Sequence, residues 1–152
     1  MIDDIYDSAE GFANALDRLA DQFEDEASDV MRLTVIDVSE KIKKDTPRDT
    51  GRAAAAWMLT AGQPGDGTPP ESQYQTSYGG RVPANAPSPV QDPGEDVNLM
   101  WYICNNLEYI SILEDGMPGG SDQAPTGMVA NALNAFDQLL SDQLDGMETI
   151  EL

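Results

Sequence analysis

Apolar residues recur at helical spacing from the start of the chain. Ile5, Phe12, Leu16, Leu19, Phe23, Ala27 and Val30 trace one stripe, and Met31, Val35, Val38 and Ile42 continue it slightly rotated. The pattern predicts a long helix, or two, over about residues 5–44. Asp17, Asp21, Asp25 and Asp29 stand at steps of four on another face, where carboxylates repel one another by roughly a few tenths of a kcal/mol per pair and call for water or a basic partner. Lys41, Lys43 and Lys44 suit the negative end of the helix dipole, and Pro47 prevents continuation beyond Asp45 or Thr46.

Asp49-Thr50-Gly51 is turn chemistry, since short polar side chains bond nearby backbone and glycine accepts positive φ. The next run, RAAAAWMLTAG, supports two readings: four alanines favour helix, while its length and bounding glycines suit a strand with Trp57 and Leu59 on one face. Residues 62–98 hold seven of the ten prolines and six of the thirteen glycines, which predicts a long irregular arm with a short strand near Gln73 to Tyr78. VNLMWYICNN, residues 97–106, reads as a buried strand ended by Asn105-Asn106. A short helix follows in LEYISILEDG, with Leu107, Ile110 and Leu113 or Glu114 on one face and Gly116 as its C-terminal cap. Pro125 opens a last helix whose apolar positions, Met128, Val129, Ala132, Leu133, Phe136, Leu139, Leu140 and Leu144, repeat every 3.6 residues. The tail ETIEL reads as frayed or bound to a partner.

These elements predict an α+β fold: an antiparallel sheet packed by the long N-terminal helix (or two) and by the C-terminal helix. The length, 152 residues, suits a single domain over 1–152. Composition sharpens the picture through charge. The formal net charge is −20, yet five of the eight basic residues lie between Lys41 and Arg52. Such a balance disfavours gripping duplex DNA, which needs a basic face to release counterions. The basic cluster is flanked by Asp45 and Asp49, which favours subunit contact or local ion pairs over a nucleic-acid patch. Neither a basic, apolar leader nor a run of about 18 apolar residues occurs, so a soluble chain without a membrane span is expected.

Chemistry is excluded more than suggested. The chain has no histidine, which removes the commonest general base and metal ligand, and no enzyme is expected. Cys104, the only cysteine, lies in an apolar strand without a base to activate it and reads as a small core hydrophobe. Trp57 and Trp101 read as core as well. The adjacent pairs Asp25-Glu26 and Glu114-Asp115 diverge on helices and read as ordinary surface acids. The aspartate row lacks the glycine and terminal glutamate of a calcium loop, so neither metal nor cofactor is expected.

Three blocks carry a resemblance. TPRDTGRAAAAW, NNLEYISILEDG and SDQAPTGMV follow a long helix with a basic end, in that order. They resemble the TP-x-DTG-R turn, the NN-x-x-Y-x-x-x-LE-x-G segment and the QAP-x-GM helix start of tail-completion or neck proteins of tailed bacteriophages, the group related to minor tail protein Z. The resemblance covers about residues 30–140. It implies a structural virion protein made in the host cytoplasm: a ring, commonly six-fold, that completes or terminates the tail tube and joins it to the head connector or stopper protein. DNA would pass through its centre without specific binding. The matching positions, Lys41, Lys43, Lys44, Pro47, Arg48, Asp49, Thr50, Gly51, Arg52, Gln123, Ala124, Pro125, Gly127 and Met128, would be subunit-interface or structural residues. On this pattern the run after Arg52 would be a strand. The chain departs from it in the last helix, where no Lys or Arg occurs after Arg81.

Charge supports the same expectation, since a basic junction on an acidic body can pair head-to-tail with a neighbour's acidic helices. Reversing Lys43 and Arg52 to glutamate is then expected to weaken the ring. The alternative from another class is an acidic DNA mimic that presents Asp17, Asp21, Asp25 and Asp29 at phosphate-like spacing to a DNA-binding protein.

Overall fold

The computed structural model describes residues 9–47, 51–68, 92–94, 100–116 and 127–147. Its first element, α1, is one uninterrupted helix over Ala9–Asp45. At 1.5 Å per residue its 37 residues span about 55 Å. The helix ends as its sequence dictates. Thr46 still donates its amide to the Ile42 carbonyl at 3.0 Å, its hydroxyl donates to the same oxygen at 2.6 Å, and Pro47 offers no further N–H.

The run after Gly51 is helix and then strand. Arg52–Ala55 form a single turn, α2, and Trp57–Ala61 form β1. The expectation of a strand from Arg52 onward is therefore corrected: alanine propensity wins for four residues, entered through Gly51 at φ 85°, and extended structure begins where the bulky Trp57 must enter the core. β2, Trp101–Asn105, pairs antiparallel with β1, Trp57 opposite Asn105 and Ala61 opposite Trp101. Its five residues are all half-buried, so it is less enclosed than its apolar sequence suggested. The expected strand near Gln73 to Tyr78 lies outside the described residues, as do Val97 to Leu99 at the start of the expected second strand.

After Asn105-Asn106 the chain forms α3, Ile110–Asp115, closed by Gly116 in the left-handed region at φ 62°. The expected last helix is two nearly continuous pieces, α4 (Met128–Asn134) and α5 (Phe136–Asp145). At the joint the Ala135 amide is shared between the Asn131 and Ala132 carbonyls, both at 3.2 Å, which tightens the turn. Pro125, the expected opening residue, lies outside the described residues.

The core lies at the C-terminal half of α1. Val38 and Ile42 meet Trp57 of β1 and Met128 and Ala132 of α4, with Ile103, Phe136 and Leu139 packed around them. Ala53, Ala56 and Leu107 form a second cluster, joined to the first through Ile110 and Leu113. The buried residues of α1 begin at Val30. Earlier on the same helix Phe12, Leu16 and Phe23 remain 48, 50 and 63% exposed. The aspartates of the row at Asp17, Asp21, Asp25 and Asp29 are exposed, as the spacing predicts. No helix among the described residues is long and apolar enough to cross a membrane.

Candidate functional site

The described parts of the three sequence blocks, residues 46–47 and 51–57, 105–116 and 127–129, come together where α1 stops, α2 turns into β1, β2 ends and α4 begins. Each makes a specific polar contact there. Trp57 donates its indole Nε1–H to the Thr46 hydroxyl oxygen at 2.8 Å, in the buried angle between α1 and β1. One threonine thus caps a carbonyl of α1 and satisfies the only polar atom of the largest core side chain. Thr46→Val is expected to leave that indole N–H unpaired and to lower stability by about 1–3 kcal/mol, measured by urea unfolding. Adding Trp57→Phe removes the stranded donor, so the double variant is expected to fall short of the sum of the two single losses.

The two asparagines that end β2 tie down backbone on both sides. Asn105 donates through Nδ2 to the Ala53 carbonyl at 2.9 Å, and its Oδ1 accepts the Leu107 amide at 3.2 Å. Asn106 donates to the carbonyls of Gly65 and Gly67 at 3.1 and 3.0 Å, while the Cys104 thiol approaches the Gly65 carbonyl at 3.5 Å. The start of the 62–98 arm is thereby fixed to β2. Near its end, Asp92 pairs with Arg32 of α1 at 2.6 Å.

Glu114 performs the least expected task. Its Oε2 accepts the amides of Met128 and Val129 at 2.8 and 2.9 Å, and its Oε1 accepts that of Ala130 at 3.0 Å. One carboxylate from α3 thus caps the N-terminus of α4, where unpaired N–H groups and the positive helix dipole favour an anion. Gly127, at φ 85° and ψ 152°, brings the chain in directly under Glu114. Sequence reading had left Glu114 among ordinary surface acids. The LE-x-G and GM blocks hold the signal, but their contact spans fourteen residues and no local rule connects them.

The predicted site residues divide by exposure. Lys43 is 3% exposed and its ammonium lies 3.1 Å from Glu40, so it belongs to the subunit's interior and not to a docking face. Replacing it with glutamate would therefore test folding rather than assembly. Lys41 is half-buried and pairs with Asp45 at 2.8 Å. Pro47, Gly51, Gly127 and Met128 are buried, which fits a structural role. Lys44 and Arg52 are exposed. Arg48, Asp49, Thr50, Gln123, Ala124 and Pro125 lie outside the described residues.

Comparison with known protein families, with curated proteins and with solved structures finds no match. Function therefore rests on geometry and charge. Among the described residues no group of three or more acidic or cysteine side chains is placed to hold a metal ion. A cleft of about 330 Å³ opens between α1 and the end of α5, with Glu26, Asp29, Val30, Leu33 and Met147 on its walls. Two carboxylates, Glu26 and Asp29, stand beside apolar side chains in this cleft.

Proposed function

We propose that the chain is a ring-forming structural subunit of a phage neck, completing the tail tube and joining it to the head connector. One observation carries this reading. The described parts of the three blocks that resemble the neck-protein pattern meet at a single junction, each through a contact that fixes the fold, and Lys44 and Arg52 are exposed beside it on a chain of net charge −20. A subunit that exposes Lys44 and Arg52 beside this junction, and a mostly acidic surface, Arg18 included, along the long helix, is suited to head-to-tail pairing with its own copies. An acidic lumen would let DNA slide through without adhering. In this reading the partners are further copies of the chain, a tail tube protein and a connector protein, and the site of action is the virion.

Buried Lys43 cannot serve in the test, so the variant is Lys44→Glu with Arg52→Glu. Both positions are exposed, and folding is expected to be unchanged by circular dichroism. Sedimentation velocity is expected to show a ring for the unaltered chain and its loss in the variant. An unaltered distribution of species would reject the proposed contact. The DNA-mimic alternative draws on the exposed aspartate row, and predicts instead a species of one or two copies that binds a basic protein in a strongly salt-dependent way.

A further inference from the structure

The N-terminal half of α1 carries an apolar face whose spacing, flanks and charges fit a second copy of itself. Residues 11–29 span about 28 Å and include none of the buried side chains of α1. Counted in sevens, Leu16, Phe23 and Val30 take one seam position, and Phe12, Leu19, Glu26 and Leu33 take the other. Leu16 and Phe23 are half or more exposed. Small or uncharged residues flank the seam, Ala13, Ala20 and Ala27 on one side and Ala15 and Gln22 on the other, up to Asp29, while Glu26 is the one charge within it. Asp17, Asp21, Glu24 and Asp25 fall on the opposite, exposed face. Two such helices can therefore meet without bringing their acidic rows together, despite the net charge of each chain.

Glu26 decides the orientation. Its Oε1 accepts a hydrogen bond from Gln22 at 3.2 Å, while its Oε2 is shielded from solvent and has no hydrogen-bond partner. A parallel pair in register would set Glu26 against Glu26, two like charges in one layer. An antiparallel pair sets Leu16 against Leu19 and Phe12 against Phe23, and keeps the two Glu26 carboxylates apart.

We infer that the subunit self-associates through this face, as a two-fold antiparallel pair of α1 helices from two copies. The contact is isologous and closes at two copies, so it is distinct from the head-to-tail contact of a ring and holds whether or not the neck reading does. In an assembled ring it would join copies belonging to different rings. Its strength follows from area. Leu16, Phe23 and Phe12 together expose on the order of 300 Å² of apolar surface per copy, well below the roughly 800 Å² per partner of a standard stable interface. Dissociation in the range of about 10–100 µM is expected.

Sedimentation equilibrium on the Lys44→Glu/Arg52→Glu chain, where ring contacts are removed, isolates this association. A monomer–dimer equilibrium is expected, and Leu16→Asp with Phe23→Asp added is expected to weaken it at least ~100-fold. Circular dichroism and the melting temperature should stay unchanged, because both side chains lie outside the core. A strictly monomeric chain up to about 300 µM, or association untouched by the seam variant, would overturn the inference. Orientation is read by spin labels on Ser28→Cys with Cys104→Ser. Antiparallel pairing adds an offset of about 30 Å along the axis to the width of the pair, for roughly 40 Å between labels, whereas a parallel pair leaves only the width, under about 30 Å, and would overturn the stated geometry. Loss of the ring in Lys44→Glu/Arg52→Glu with this dimer retained, and the reverse in the seam variant, keep the two contacts separable.

Discussion

Gly127→Ala is expected to destabilise the subunit by about 3–4 kcal/mol, the largest effect of any methyl-sized change at the junction. Two independent terms add. The backbone at φ 85° and ψ 152° lies where essentially only glycine is comfortable, and an L side chain there costs about 1–3 kcal/mol. The new Cβ would also stand 2.5 Å from Glu114 Oε1 and 2.7 Å from the Glu114 carbonyl oxygen, distances that real Cβ atoms do not sustain. The carboxylate can swing aside only by releasing the amides of α4, and the carbonyl can move only by shifting the end of α3. Thermal unfolding followed by tryptophan fluorescence is expected to show a drop of roughly 10 °C. A shift below about 2 °C would mean that the Glu114–Gly127 approach does not exist in solution.

Glu114→Ala is expected to cost about 2–4 kcal/mol, more than an ordinary helix cap, because three amides lose an ionised acceptor at once. Glu114→Gln keeps the shape and one strong acceptor oxygen and is expected to lose about half as much. The loss should fall on α4 and the core beneath it, since Met128, directly at the cap, is fully buried against Val38, Ile42 and Trp57. A double-mutant cycle checks the mechanism. Once the Glu114 side chain is gone, part of the Gly127→Ala clash goes with it, so the combined loss should be smaller than the sum of the single losses. Strict additivity would show that the two positions act separately.

Much of the fold was legible because local chemistry and global packing agree. The stripe through Val30, Val38 and Ile42 announced α1, Pro47 its end, Gly116 the end of α3 and Asn105-Asn106 the end of β2. The alanine run shows the limit of such reading. Propensity and strand context were weighed as alternatives for one element, whereas the chain uses both in succession. The buried Lys43 was illegible for a related reason. A lysine in the last turn of a helix suits both the dipole and a docking face, and only the tertiary packing around the end of α1 encloses it. The cap formed by Glu114 was hidden by sequence distance, although the blocks that contain it were visible. In the candidate site, two described members of the basic cluster, Lys41 and Lys43, pair with carboxylates of α1. What remains at the surface is Lys44 and Arg52.

The motif blocks therefore explain how the subunit is built, and the exposed charge bears on what it meets. Thr46 joins the end of α1 to β1, Asn105 joins β2 to α2, and Glu114 joins α3 to α4. A junction tied at these points gives a ring subunit a fixed angle between its contact faces, which closure to a defined number of copies requires. That argument links the architecture to the proposed neck role, and imaging tests it directly. Negative-stain electron microscopy of the purified chain, alone and mixed with phage tail tubes, is predicted to show closed rings or caps seated on tube ends, and to show neither for Lys44→Glu/Arg52→Glu. Particles of one or two copies only, with bare tube ends in every mixture, would contradict it.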